Sequence, residues 1–138
     1  MRLSRQKWFL LALASIVACH DSTGPTTITA QFDLTDVDGR SLPTYPAATP
    51  GLTPTIISQI LTLNEDGTAV IFEHRTQWDG TDAMFESNYT YQISNGKIAF
   101  DFHCPIDADC IAPPEGTIFG NRLSLVIAAV TYNYRLRT

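Results

Sequence analysis

Hydrophobic and polar residues alternate along most of the chain from residue 29 onward. In the segment 85–93, Phe85, Tyr89 and Tyr91 share one parity, and the same period of two recurs over 98–103, 123–127 and 132–137. Alternation that is rich in aromatic and β-branched residues is typical of strands with one buried face. No segment after residue 18 combines a sustained helical period with caps, so the pattern predicts an all-β domain.

Turn residues divide this pattern into hairpins. Asn64-Glu65-Asp66-Gly67, Ser94-Asn95-Gly96 and Gly120-Asn121 supply the positive φ angles that tight turns need. The segments between them predict about eight strands, at 29–34, 55–63, 68–76, 85–93, 97–103, 116–119, 122–127 and 131–137. A meander of eight short strands usually closes because closure removes the exposed edges. We therefore predict an antiparallel barrel.

The inward face of this barrel follows from the alternation. Its predicted members are Phe32, Leu34, Leu61, Leu63, Val70, Phe72, Tyr89, Tyr91, Ile93, Ile98, Phe100, Phe102, Leu123, Leu125, Ile127, Tyr132, Tyr134 and Leu136. Barrels of eight strands are just wide enough to be filled by side chains or to hold one small ligand. Because aromatic residues are frequent in this set, we expect a mostly filled core with a shallow cavity near His74 and Trp78.

The N-terminus has the features of an export signal. Arg2, Arg5 and Lys7 precede an apolar run that ends at Ile16-Val17-Ala18-Cys19. These four residues resemble the lipobox of bacterial lipoproteins. The resemblance implies a signal peptide at 1–18, a lipid on Cys19, a flexible tether over 19–28 and a barrel domain at 29–138.

Two other interpretations of this segment are weaker. A single membrane anchor needs ~20 apolar residues, and the run from Trp8 to Ala18 has only eleven residues. An ordinary secreted protein would keep Cys19 as an unpaired thiol. Since His20 and not an aspartate follows the cysteine, the comparison with lipoprotein sorting favours the outer membrane over the inner membrane of a bacterial envelope.

Removal of the signal changes the charge balance. The first 18 residues carry three of the nine Lys and Arg residues and none of the fourteen Asp and Glu residues, which leaves a formal net charge of −8. This balance disfavours nucleic-acid binding, which needs a clustered basic surface. It also disfavours docking on anionic lipid through a basic patch, so the lipid on Cys19 is expected to hold the protein at the membrane unaided.

Several segments together resemble the small lipocalin-like domains of bacterial lipoproteins, most of which are uncharacterised. The segments are 32–43, 61–68, 91–98, the Cys104-Pro105 and Cys110 pair, and 116–125. The resemblance implies a lipocalin-like barrel over nearly all of 30–136. Its motifs are mostly turn residues, so they indicate architecture and say little about activity.

The proline-rich segment 37–54 is the least regular part of the domain. Pro43, Pro46, Pro50 and Pro54 exclude a central strand. The segment should cross one end of the barrel, either as a plug with Leu42, Tyr45 and Leu52 over the core or as a lid over a mouth.

Two further cysteines are candidate site residues. Cys104 and Cys110 lie near His103, Asp107 and Asp109, but one pair at this spacing with a single histidine is a poor zinc site, and the aspartates lack the oxygen series of a calcium loop. In an oxidising envelope, two nearby cysteines more often form a disulfide. We predict a Cys104–Cys110 disulfide and neither a metal nor a cofactor.

His74 and Trp78 are the candidate ligand-binding residues. On 68–76, His74 shares a parity with Val70 and Phe72, and Trp78 continues that parity, which would place both on the inner face. A hydrogen-bonded core histidine is the plainer alternative. Ala69 and Ile71 are also apolar, so the alternation leaves the inward parity of this strand open.

The sequence contains no serine elbow, zinc-protease helix or phosphate loop. We therefore expect a protein that is not an enzyme. Two classes remain: a binding module for a small apolar ligand or an envelope protein, and a structural or protective envelope lipoprotein with a filled core.

Overall fold

The computed structural model describes residues 25–46, 54–102 and 112–138. These residues contain no helix that is long and apolar enough to cross a membrane. They form nine strands: β1 (Ala30–Val37), β2 (Arg40–Ser41), β3 (Thr55–Leu63), β4 (Thr68–Thr76), β5 (Asp82–Ser94), β6 (Lys97–Asp101), β7 (Glu115–Phe119), β8 (Arg122–Ile127) and β9 (Val130–Leu136).

Eight of the strands form one closed antiparallel barrel. Each pairs with its neighbour in the order β1-β3-β4-β5-β6-β7-β8-β9, and β9 pairs back onto β1, with Phe32 opposite Leu136. The short β2 pairs with the end of β1 and lies outside the ring. The predicted all-β class and eight-stranded, lipocalin-like meander are confirmed.

The turns lie at the two ends of this barrel. The turns at 64–67, 95–96 and 120–121 lie at one end, which we call the entry end. The turns at 38–39, 77–81 and 128–129 lie at the opposite end, which we call the mouth end. Asn95 and Gly96 both have positive φ, of 52° and 72°, as the Asn-Gly turn signal predicts.

The chain reaches the barrel at the entry end. Thr26 and Ile93 exchange two backbone hydrogen bonds, of 2.9 and 3.2 Å. The Tyr91 hydroxyl accepts a hydrogen bond from the backbone N–H of Ile28 at 2.8 Å and donates one to the carbonyl of Asn64 at 2.8 Å. Thr26 and Ile28, inside the segment predicted as a tether, therefore bond to the barrel.

A single cluster of buried hydrophobic side chains occupies the interior. It consists of Phe32, Leu34, Val37, Ile56, Leu61, Leu63, Ala69, Ile71, Tyr91, Ile98, Phe100, Leu123, Leu125, Tyr132 and Tyr134. Burial of this apolar surface is the main favourable contribution to folding. Most of the predicted inward set belongs to this cluster or packs against it.

The predicted parity of β4 is wrong. Ala69 and Ile71 are buried, whereas Phe72 is 40% exposed on the outer face. The register explains the difference, because Leu63 pairs with Ala69 and Leu61 pairs with Ile71 across the 64–67 turn. Directly opposite residues share a face of the sheet, so the buried leucines of β3 force the odd-numbered residues of β4 inward.

The described part of the proline-rich segment covers the mouth end. Thr44 and Ile56 exchange backbone hydrogen bonds of 3.0 and 2.6 Å, which fasten the segment to β3. Leu42 is partly buried and packs against the core cluster, as the plug interpretation expects. Leu52 lies outside the described residues.

Candidate functional site

Beyond Ile71, the inner face of β4 changes from apolar to charged. Because alternate residues of a strand share a face, the next two inward positions after Ile71 are Glu73 and Arg75. Glu73 pairs with Gln59 on one side and with Phe85 on the other. A polar cluster therefore lies inside the barrel towards the mouth end.

Among the described residues, the barrel wall has an opening beside this cluster. β6 pairs with β5 from Thr90 to Ser94, whereas residues 82–89 of β5 extend beyond this pairing and bond to β4. Ser87 is opposite the buried Ile71 and so faces inward, yet Ser87 is exposed. Solvent therefore reaches the inner face of β5 at this point.

A chain of hydrogen bonds crosses the interior below the opening. The hydroxyl of Tyr134 donates to Oε1 of Gln59, and Nε2 of Gln59 donates to Oε2 of Glu73 at 2.5 Å. Tyr134 and Gln59 are both buried. Buried polar groups are costly unless they are paired, so this chain explains how a buried amide is accommodated.

Arg75 completes the cluster on the solvent side. Its Nη1 lies 3.4 Å from Oε1 of Glu73, and its guanidinium carbon lies 3.5 Å from the centre of the Phe85 ring. The side chain is 29% exposed, but its Nε is fully buried and has no hydrogen-bond partner in the described part of the chain. A buried N–H without an acceptor costs about 1–3 kcal/mol, so Arg75 has an unmet hydrogen bond beside the opening.

Burial determines the protonation of the cluster. It raises the pKa of Glu73 above its ordinary value of 4.5, against the smaller opposing effects of Arg75 and the Gln59 hydrogen bond. Burial, with the negative charges of Glu73 and Asp38, raises the pKa of Tyr132 to about 12. Burial also raises the pKa of Tyr134 well above its usual range. Both tyrosine hydroxyls therefore stay protonated at neutral pH and act as donors.

Two donors of the cluster have no acceptor among the described residues. Neither the hydroxyl of Tyr132 nor Nε of Arg75 bonds to any of the described residues. Phe85 adds an apolar ring directly against the guanidinium. An apolar molecule that carries an acceptor oxygen would complement both features.

The predicted ligand pair does not lie inside the barrel. His74 is on the outer face of β4, where Ser58 and Met84 are its cross-strand partners, and its Nε2 lies 3.5 Å from Oδ2 of Asp82. Trp78 is in the 77–81 turn and is 78% exposed. The inward placement of both residues is therefore wrong, because they follow the parity of Phe72 rather than that of Ile71.

The other predicted site residues lie outside the described residues. These are Cys19, Cys104 and Cys110, together with His103, Asp107 and Asp109. In the described part of the chain, no group of three or more His, Cys, Asp or Glu residues could hold a metal ion.

Glu73 and Arg75 are the functional candidates that sequence reasoning missed. Binary patterning assigns charged residues to the outer face of a strand, and here two of them occupy the inner face. The length of the 64–67 turn was the available signal. It makes Ala69 and Ile71 the partners of Leu63 and Leu61, so Glu73 and Arg75 are the next residues on the inner face.

Comparison of the chain with models of protein families, with curated proteins and with solved structures finds no match in any of the three.

Proposed function

We propose that this protein is a lipid-anchored lipoprotein of the bacterial envelope, in which the barrel is a non-catalytic binding module. The ligand is a small apolar molecule that presents an acceptor oxygen. It enters beside β5 at the mouth end and contacts Arg75, Tyr132 and Phe85.

The observation that carries this proposal is the buried Nε of Arg75: among the described residues it has no acceptor, and the barrel wall beside it has an opening. A ligand oxygen would accept this hydrogen bond, and hydrogen bonds from charged donors are about twice as strong as neutral ones. Glu73 holds the other side of the guanidinium, and Phe85 restricts its position. The donor is thus already oriented before a ligand binds.

The filled interior limits the size of the ligand. Leu61, Leu63, Leu123 and Leu125 are at most 1% exposed, so the half of the barrel nearer the entry end is occupied by its own side chains. Close packing of this kind leaves no room for a long chain. We therefore expect ligands of about the size of one ring, and no tight binding of long-chain fatty acids.

The test uses pairs of small ligands that differ only by an oxygen atom, such as acetophenone and ethylbenzene. Titration followed by NMR should show shifts at the Nε–H of Arg75 and at Tyr132 with acetophenone, and weaker binding of ethylbenzene. Arg75→Gln should weaken acetophenone binding by about tenfold, because a hydrogen bond to a charged group is lost.

Arg40→Gln is the matched control. Arg40 also lies at the mouth end and also faces a carboxylate, that of Asp38 at 3.9 Å, but it is on the outside of the barrel. This variant should bind like the wild type. Equal affinity for the two ligands, or equal effects of the two arginine variants, would show that Arg75 is not a ligand-binding residue.

The membrane anchor has its own support and its own test. Ile16-Val17-Ala18-Cys19 follows a basic and apolar leader, and an odd cysteine remains once Cys104 and Cys110 are paired. The intact mass of protein extracted from membranes should correspond to a chain that begins at Cys19 and carries acyl groups. An unmodified N-terminus at any other residue would exclude the anchor.

The filled core also supports a second candidate, a structural or protective envelope lipoprotein without a small-molecule ligand. Among the described residues, fifteen buried hydrophobic side chains form one cluster inside the barrel. If the protein has this structural role, neither member of any ligand pair should shift the NMR signal of the Nε–H of Arg75. The same titration therefore separates the two candidates.

A further inference from the structure

The basic residues of the domain are concentrated at its entry end. Of the six Lys and Arg residues after residue 18, four lie on strand ends at this end of the barrel: Lys97, Arg122, Arg135 and Arg137. Arg40 and Arg75 lie towards the mouth end. Although the net charge is −8, the positively charged residues are therefore distributed unevenly along the barrel axis.

Two of these arginines face each other directly. Arg122 on β8 and Arg135 on β9 are cross-strand partners on the outer face. Like charges in this position destabilise a sheet. Among the described residues, neither forms a salt bridge.

The nearest carboxylate on the next strand is already occupied. Asp33 on β1 is the cross-strand partner of Arg135, but both its oxygens are held by Arg137, with Nε at 3.0 Å from Oδ2 and Nη2 at 2.5 Å from Oδ1. Arg137 thereby holds the carboxylate that lies opposite Arg135. Arg122 and Arg135 remain free for an external anion.

An exposed aromatic residue adjoins the arginine pair. Phe119 ends β7, is the cross-strand partner of Arg122 and is 86% exposed. Phe119, Arg122 and Arg135 line one surface groove of about 580 Å³, together with Asp36, whose Oδ1 accepts a hydrogen bond from Asn133. Exposed aromatic residues beside basic ones are typical of surfaces that sit at the boundary between lipid headgroups and acyl chains.

The tether leads to the same end of the barrel. Pro25 precedes the Thr26–Ile93 bridge at the entry end, and it is six residues from Cys19, which limits the span to about 20–22 Å. With Cys19 lipidated, as the proposed function requires, this end must lie close to the bilayer.

We propose that the side of the entry end formed by β7, β8 and β9 docks on an anionic phospholipid surface. Phe119 enters the interface between headgroups and acyl chains, and Arg122 and Arg135 bind lipid phosphates in the groove. The lipid on Cys19 supplies attachment, and this surface supplies orientation, which leaves the opening beside Arg75 directed away from the membrane.

The test measures the depth of single tryptophans in the acylated protein. Cleavage after residue 18 removes Trp8, so Trp78 is the one tryptophan of the mature chain, and it lies in the 77–81 turn at the mouth end. The Trp78→Phe, Phe119→Trp variant moves this probe to the entry end. Both proteins are reconstituted in vesicles of phosphatidylethanolamine and phosphatidylglycerol, with and without brominated acyl chains.

We expect the tryptophan at position 119 to shift to shorter wavelength and to lose emission in brominated vesicles, whereas Trp78 keeps its emission. Equal emission at position 119 with and without bromine would overturn the proposal, as would stronger quenching of Trp78. The position is 86% exposed, so the substitution does not disturb the core.

Two further variants test the arginines. Adding Arg122→Ala and Arg135→Ala to the position-119 probe should reduce its quenching, and 1 M salt should do the same because it screens exposed charges. Arg40→Ala, at the mouth end, should leave the quenching unchanged. Equal quenching in the double variant and this control would exclude a role for the arginine pair.

Intact mass separates failure of this proposal from failure of the anchor. A protein without acyl groups contradicts the proposed function. An acylated protein in which position 119 is not quenched contradicts only the docking surface.

Discussion

The hydroxyl of Tyr134 on β9 donates a hydrogen bond to the side-chain oxygen of Gln59 on β3, across the interior of the barrel. The two strands are not neighbours in the sheet, since β1 lies between them. This bond therefore connects parts of the wall that backbone pairing does not join. It also holds Gln59 in place to donate to Glu73.

Tyr134→Phe should lower the free energy of unfolding by about 1–3 kcal/mol, because the buried oxygen of Gln59 loses its donor. Chemical denaturation gives the value. Tyr89→Phe is the matched control: the Tyr89 ring packs edge-on against Phe100 and Phe102, and its hydroxyl bonds to none of the described residues. A loss of equal size in both variants would show that the Tyr134 bond is not responsible.

Glu73 should make stability fall as pH rises above 4.5. Its pKa is raised on folding, so between 4.5 and the raised value the folded state binds more protons than the unfolded state. The free energy of unfolding therefore decreases through this window and is lowest, as far as Glu73 contributes, above it.

In the Glu73→Gln variant the side chain cannot ionise, so the contribution of Glu73 to the pH dependence of stability is removed. The melting temperature of the variant relative to the wild type should rise as the pH increases from below 4.5 to neutrality. Glu86→Gln, on the exposed outer face of β5, is the control for the loss of one negative charge. Parallel profiles for wild type and Glu73→Gln would contradict the prediction.

Gly116 on β7 should tolerate no side chain. A Cβ at this position would lie 1.9 Å from the backbone oxygen of Ser124 and 2.8 Å from Cδ2 of Leu125. Gly116→Ala should therefore destabilise the protein by about 3 kcal/mol, since the backbone of β8 must move. In Gly39→Ala the new Cβ meets nothing within 4 Å, and only the φ of +75° is strained. That variant should lose about 1–2 kcal/mol, and a reversed order would refute this account.

The Cys104–Cys110 disulfide remains a prediction from the sequence. Closure of so short a loop should stabilise the protein by ~2–2.5 kcal/mol in the chain-entropy view. Peptide mapping without reduction should recover the two cysteines in one linked peptide. Two free thiols in protein isolated from the envelope would exclude it.

The class of fold could be predicted because its signals are local. Turn residues such as Asn95-Gly96 and the alternation in β5 and β8 depend on neighbouring residues, so the eight barrel strands were predicted with small errors at their ends. The additional strand β2 has two residues, too few to show any period.

The candidate site could not be predicted from the same signals. The even and the odd residues at the start of β4 are both apolar, so alternation alone does not tell Ile71 from Phe72. The choice depends on pairing with Leu61 and Leu63, which is a tertiary relationship. The distribution of charge could not be predicted either, because the net charge of the chain does not reveal that Arg122 and Arg135 are cross-strand neighbours.

The pairing of β1 with β9 joins the first strand of the barrel to the last. Phe32 and Leu136 are more than a hundred positions apart in the chain, yet they are direct partners in the ladder. During synthesis or threading through a pore, β1 therefore lacks one of its two neighbours in the ring until the final residues emerge. Since non-local pairing of this kind slows folding, the ring closes only on a completed polypeptide, and a chain that stops short of β9 leaves both β1 and β8 as open edges.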